Sequence, residues 1–292
     1  MTDLLQLLIA GLATGAIYAL AAIGFTLLWQ TSQTINFAQG EFVMLPAFFA
    51  LIAMNWFHIP LPIALVLAVL ASMLLLGAVF RYAVVGPLLG RGVLPLVIST
   101  LALSVLMKES VKEFVSAQAE SFPTLVPDLV IHFAGLSVSI AQLGMLVISL
   151  AAIGLLQWFL GGTRTGRQMQ ATAQNPTVAR ILGVPVERMI LYTFLINAAL
   201  AAIASILISP IYLAKFSNGE TLGLIAFVAA IVGGFNQVRG AIAGGLLVGV
   251  LDNLAAAYVS TAYRQAIPLI LLVLIILFRP QGLLGRKEER AV

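Results

Sequence analysis

The chain has 292 residues, of which 61% are hydrophobic and 9% charged, with a formal net charge of +4. A soluble domain carries roughly 45–50% apolar and about 25% charged residues, so a wholly water-facing surface is excluded and lipid must solvate much of this one. Cysteine is absent, which excludes disulfides and thiolate metal sites, and the small positive excess sits in loops beside apolar runs, a topology signal rather than a nucleic-acid surface.

The first run, Leu4 to Leu28, has no charge at all. The N-terminus before it lacks a basic region, so no cleavable signal peptide is expected. In lipid the backbone must satisfy itself, which favours helices; the weak alternation of a membrane barrel is not seen. Apolar segments are expected near residues 4–28, 41–57, 60–80, 93–114, 139–160, 188–213, 220–235, 241–259 and 265–279. The predicted fold is an all-α polytopic membrane protein, a single transmembrane domain over 1–292. It has about nine transmembrane helices by the length rule, or eight if 220–235 is re-entrant.

Between the first two segments, Asn36-Phe37-Ala38-Gln39-Gly40-Glu41 breaks the apolar pattern. The simpler reading is capping, by Asn36 or Gly40, with Glu41 matching the helix dipole. The sharper reading is a broken helix lining a translocation pathway, with Asn36, Gln39, Gly40 and Glu41 as substrate contacts. Thr100 and Asp252 are further candidates. Ser99 and Thr100 also have a simpler role, bonding to helix carbonyls. Asp252, deep in an apolar segment, needs a partner or a proton and is read first as holding the bundle together. Lys108, Glu109, Lys112 and Glu113 form a charged helix end, in which Glu109 and Lys112 are spaced to pair.

Basic residues set the orientation. Arg81 and Arg91 in 81–92, Arg164, Arg167, Arg180 and Arg188 around 161–188, Arg239, and the tail residues Arg279, Arg286, Lys287 and Arg290 fall on one side if there are nine segments. The stretch 115–138, with Glu120 and Asp128 and no Lys or Arg, falls on the other. The N-terminus is then outside and the C-terminus cytoplasmic. Trp29, Trp56 and Trp158 lie at segment ends, where interfacial rings belong. Gly11 and Gly15, Gly240 and Gly244, and Gly245 and Gly249 are each four apart, the spacing that lets helices approach closely.

The long polar loop 161–188 has strong local grammar. Asn175 suits an N-cap, Pro176 the first helical position and Gly183 the residue past the end. A short helix Pro176–Leu182 results, with Val178, Ile181 and Leu182 on one face. Gly166 to Gln174 suits a second short helix ending before the proline. Such a helix either lies on the membrane surface or inserts an apolar knob into a cytoplasmic partner.

The stretch GRQMQATAQNPTVARILGVPVERM resembles the coupling loop of ABC transporter permeases of the branched-chain amino acid (LivH-type) family. NFAQGEFVMLPAFFA (36–50), GGFNQVRGAIAGGLLVGVLDNL (233–254) and RPQGLLGR (279–286) resemble that family too. The resemblance implies an importer permease subunit in a bacterial inner membrane, not itself an enzyme. It implies a second, LivM-type permease, two LivG/LivF-type ATP-binding subunits that use ATP and Mg, and a periplasmic solute-binding protein. Docking would fall to Asn175, Pro176, Ala179, Ile181, Leu182 and Gly183, with Gly166, Arg167 and Ala171 leading in. Gln168 and Gln174 stand where relatives often carry charges. No Gly-Lys dipeptide occurs, so no Walker loop is present; HExxH and GxSxG are absent too. Permeases for urea or short amides, a stand-alone secondary transporter or channel, and a non-transporting membrane partner are the rival readings.

Overall fold

A computed structural model describes residues 2–33, 35–88, 91–125, 129–133, 136–263 and 266–285. Asp128, Arg264, Arg286, Lys287 and Arg290 lie outside the described residues. The protein is mainly helical: α1 (Thr2–Ser32), α2 (Gln39–Asn55), α3 (Leu61–Leu88), α4 (Val93–Phe114), α5 (Ile140–Gly162), α6 (Arg164–Gln174), α7 (Pro176–Ile181), α8 (Val186–Tyr212), α9 (Asn218–Gly233), α10 (Val238–Tyr258) and α11 (Ala266–Phe278). Among the described residues, six helices (α1, α3, α4, α5, α8 and α10) are long and apolar enough to cross a membrane, and α2, α9 and α11 are shorter apolar helices.

Two compact units are built from separated stretches of chain. One holds Met1–Thr26, Thr124–Ser149 and Leu224–Val292; the other holds Leu27–Pro123 and Leu150–Gly223.

In the first unit the glycine spacing acts as expected. A Cβ on Gly11 would come within 2.7 Å of Val250 Cα, and one on Gly15 within 2.9 Å of Leu246 Cα, so α1 and α10 pack backbone to backbone. Gly240 and Gly244 do the same against the end of α9, at Gly233. Asp252 finds its partner here: the Tyr18 hydroxyl donates to Oδ2 at 3.1 Å, and the Asn253 amide donates to Thr14 Oγ1 at 2.8 Å. After α11 the chain turns through Gly282 (φ +80°), so that Leu283 N–H and Leu284 N–H donate to the carbonyls of Val232 and Gly233 at 2.9 Å each. The helix-end carbonyls of α9, which lack intrahelical donors, are thereby satisfied.

One feature of this unit departs from the expected all-α fold: Val130–Phe133 and Leu136–Ser139 form a two-stranded antiparallel hairpin, with Ile131 opposite Val138. Only Leu136–Ser139 alternates apolar and small polar residues, over too few positions to mark a strand.

The second unit shows a membrane-type burial pattern. Ala64, Ala68 and Ser72 of α3 are buried, while Ile63, Val66, Leu70 and Leu74 are exposed. Small residues face the protein and large aliphatic ones face out, because lipid is as good a solvent for leucine as another helix is. Phe42, Phe80 and Phe194 stack edge-on or tilted to fill the interior. α3 also overruns its expected end at residue 80. It continues through π-helical turns at Met73–Val79 and Arg81–Val85 to Leu88. Arg81 is therefore not in a connection. It is 6% exposed and held by Glu187 at 2.7 Å, the paired state that a buried guanidinium requires.

Candidate functional site

Two polar features stand out in the second unit: a capped helix on its surface and a cluster of buried amides and carboxylate at a helix break.

The surface helix is α7. Asn175 is its N-cap, with Oδ1 accepting from the N–H groups of Thr177 and Val178 at 3.0 Å each. Pro176 occupies the first turn, where its missing donor costs nothing. Gly183 takes φ +80°, the left-handed conformation that ends a helix at little cost for glycine. The helix closes at Ile181, one residue before the expected end, and Leu182 is its C-cap. Ala179 is buried, whereas Ile181 and Leu182 are 79% and 75% exposed and Val178 is also exposed.

The lead-in helix α6 starts two residues earlier than expected, because Thr163 caps it by accepting from Gly166 N–H at 2.9 Å. Gly166 is needed for close approach: a Cβ there would lie 2.6 Å from Leu160 Cα. Arg167 reaches back to the Gly162 carbonyl at 3.3 Å and so caps the end of α5. Ala171 accepts from Asn175 N–H, closing α6 where α7 begins. Gly166, Arg167 and Ala171 thus position the loop, while Val178, Ile181 and Leu182 are the surface it offers. Glu187 ties the loop down by binding Arg180 of α7 at 3.5 Å and Arg81 of α3 at 2.7 Å.

The second feature lies where α1 ends and α2 begins. Capping does not take the expected form: the N-cap is Ala38, with no side-chain bond. Asn36 instead bends the chain, its Oδ1 accepting from Ala38 N–H at 3.0 Å, while Phe37 N–H donates to Thr100 Oγ1 at 3.3 Å. Thr100 also donates to the Val97 carbonyl at 3.0 Å, the backbone role expected of it. Gln39 and Asn197 exchange two amide bonds, 2.8 and 2.9 Å long, and both are fully buried. Two turns on, Pro46 prevents the regular ladder, and Ser205 Oγ accepts from the Ala47 N–H at 3.0 Å. The constant offset shows α2 and α8 side by side and parallel.

Glu41 is 1% exposed; Oε1 accepts from Ser104 at 3.2 Å, and Oε2 has no hydrogen-bond partner among the described residues. Gly40 packs on Gly219 and Gly223 at the start of α9, where a Cβ on Gly223 would come within 2.8 Å of Gly40 Cα. The structure therefore gathers Asn36, Gln39, Gly40, Glu41 and Thr100 and adds Ser104, Asn197 and Gly219; Asp252 belongs to the other unit.

The added residues carry a sequence signal that segment-by-segment reading misses. Phe37-Ala38-Gln39-Gly40-Glu41 recurs as Phe216-Ser217-Asn218-Gly219-Glu220. Each copy is a turn followed by the first residues of a short helix, α2 or α9.

The amide pair gives a first prediction. Asn197→Ala strips Gln39 of both partners and destabilises the protein by about 1–3 kcal/mol, the cost of a stranded buried amide. The double change Gln39→Leu with Asn197→Leu is milder than that single change, because no polar group is left unsatisfied. Thermal unfolding in detergent checks this, and equal losses would contradict it.

These features describe a multi-pass membrane protein of the permease type. The family model described as branched-chain amino acid transport system / permease component matches residues 7–276. The chain belongs to that family. It is 33% identical to the high-affinity branched-chain amino acid transport system permease protein BraD of Pseudomonas aeruginosa, over 99% of this chain and 98% of that one. Identity to permease protein LivH of Escherichia coli K12 is 31%, over 99% and 97%. To a probable branched-chain amino acid permease of Methanocaldococcus jannaschii it is 26%, over 91% and 88%. No solved structure matches the chain.

Proposed function

We propose that this chain is one permease subunit of an ATP-driven importer, providing half of the pathway for branched-chain amino acids across a bacterial inner membrane. The observation that carries the coupling part is α7, a capped helix whose apolar tip of Ile181 and Leu182 is exposed. An apolar tip on a rigid, tethered helix suits a groove on a partner. In this reading α7 docks on one of two ATP-binding subunits, which hold ATP and Mg; this chain contributes no ATP site of its own. A second, homologous permease supplies the other half of the pathway, and a periplasmic binding protein delivers the solute.

The six long helices and the three shorter ones then make nine crossings. The N-terminus is outside and the C-terminus is cytoplasmic, which puts α7 on the side of the ATP-binding subunits. Closure of those subunits would move α7, and Glu187 would carry the movement to α3 through Arg81, a rigid-body route to alternating access. Full-length names of relatives carry the substrate class.

Reconstitution tests the reading. The chain, with its partner permease, ATP-binding subunits and binding protein, is expected to accumulate leucine, isoleucine or valine only when ATP is present inside the compartment facing the ATP-binding subunits. Uptake by this chain alone, driven by an ion gradient, would replace the importer reading with a secondary transporter. Uptake of urea or short amides in preference to leucine would move the substrate class.

A further inference from the structure

We infer that Glu41 is the ligand for the α-ammonium group of the transported amino acid, in a site formed where the two copies of the Phe-x-(Gln/Asn)-Gly-Glu motif meet. The inference rests on the importer reading and names one contact within it.

The two copies open the two short helices α2 and α9, and the helix starts are in contact: Gly40 lies on Gly219 and Gly223. Paired short or interrupted helices in a transporter mark its binding site, because their freed ends face the solute. The partly positive ends of both helices meet here, and a carboxylate between them is electrostatically matched.

The two glutamates of the motif have different fates. Glu220 is exposed and paired with Lys108. Glu41 is buried, its carboxylate lies beside Gly219, and Oε2 has no partner among the described residues. A buried carboxylate oxygen without a donor is rare and costly. What it lacks is a strong donor, and a primary ammonium supplies one, with three N–H groups and a positive charge. A second unsatisfied group lies at the same break: Asn36 Nδ2 is buried and donates to none of the described residues. That donor suits the carboxylate of the same zwitterion. Beside the break a narrow cleft has one apolar wall of Val43, Met44, Phe48, Ile208 and Leu222, the surroundings an aliphatic side chain requires, and one polar wall of Ser209, Lys215 and Asn218. Because Gly219 has no side chain, the Glu41 carboxylate can lie beside the first turn of α9; a Cβ there would collide with it.

The test uses the complete importer in membrane vesicles and has two arms. In the first, a hydrophobic carbodiimide labels buried carboxyl groups and mass spectrometry follows the peptide carrying Glu41. Leucine is expected to slow that labelling at least about fivefold, whereas 4-methylpentanoate, its analogue without the amine, does not. Labelling unchanged by leucine, or slowed equally by both, overturns the assignment. In the second arm Glu41→Gln lowers kcat/KM for leucine by about 10- to 100-fold, the size of one charge-assisted hydrogen bond, with Glu41→Asp in between. Glu109→Gln, outside both copies of the motif and paired with Lys112 on α4, stays within about twofold. Uptake by Glu41→Gln within twofold of the parent sinks the proposal and leaves the importer reading standing. If the parent importer shows no ATP-driven leucine uptake, the importer reading falls, and the ligand named here falls with it.

Discussion

Changing Ile181 and Leu182 together to aspartate abolishes ATP-driven uptake while the permease still folds. The two side chains are 79% and 75% exposed, so their replacement removes little internal packing, and surface changes of this kind usually cost within about 0.5 kcal/mol. Helix α7 itself survives, since its cap bonds come from Asn175 and its ending from Gly183. Docked in a groove, the same two side chains are buried, and each is worth about 1.5–3 kcal/mol when fully removed from water. Losing both, and forcing two carboxylates into an apolar groove, weakens docking by at least about 3 kcal/mol, more than a hundredfold. Co-purification of the ATP-binding subunits and ATP-driven uptake fall together, while the melting temperature of the permease alone holds. Retained uptake with the double change would sink the account of coupling. Asn175→Ala acts differently: it loosens the cap by about 1 kcal/mol, so coupling weakens without being lost.

The contrast between those two variants reflects what was legible in the chain. Local grammar was legible: Asn-Pro before and Gly after a short apolar pattern specify a capped helix from hydrogen bonds that span no more than a turn. The apolar segments were legible for a similar reason, because lipid demands length and the chain shows it. What failed needed a partner from elsewhere. Arg81 looked like a loop cation because nothing in 60–80 foretells the π-helical turns that carry α3 past it, or Glu187 a hundred residues on. Asn36 looked like a cap, yet its carbonyl oxygen serves a turn one residue upstream of the helix. Asn197 is a lone amide in an apolar run, and only the parallel packing of α2 and α8 sets it against Gln39. The repeated motif was visible but distant, two short strings far apart in a chain read segment by segment.

The glycine seam in the first unit carries the other large effect. Gly249→Leu is expected to prevent folding, and Gly249→Ala to destabilise by about 1–3 kcal/mol, the usual cost of overpacking. Alanine at a helical glycine ordinarily helps by about 1 kcal/mol, so the sign of the result decides whether contact or propensity dominates. At Gly249 a Cβ would run into the backbone of Gly15 and lie 2.7 Å from the Gly11 carbonyl oxygen; at Gly245 it would lie 2.5 Å from Ala19 Cα. Neither clash is with the end of a flexible side chain, so no rotamer change relieves it. The helices must separate, and separation stretches the Tyr18–Asp252 and Asn253–Thr14 bonds on the same pair of helices. A stretched Tyr18–Asp252 bond weakens the support of a buried carboxylate, which adds to the cost. Gly154 is the internal control: none of the described residues lies within 4 Å of a Cβ placed there, so Gly154→Ala is expected to be neutral or slightly stabilising. Thermal unfolding of the three variants in one detergent measures the difference. If Gly249→Ala and Gly154→Ala behave alike, α1 and α10 are not held by backbone contact, and the four-residue glycine spacing is a matter of composition alone.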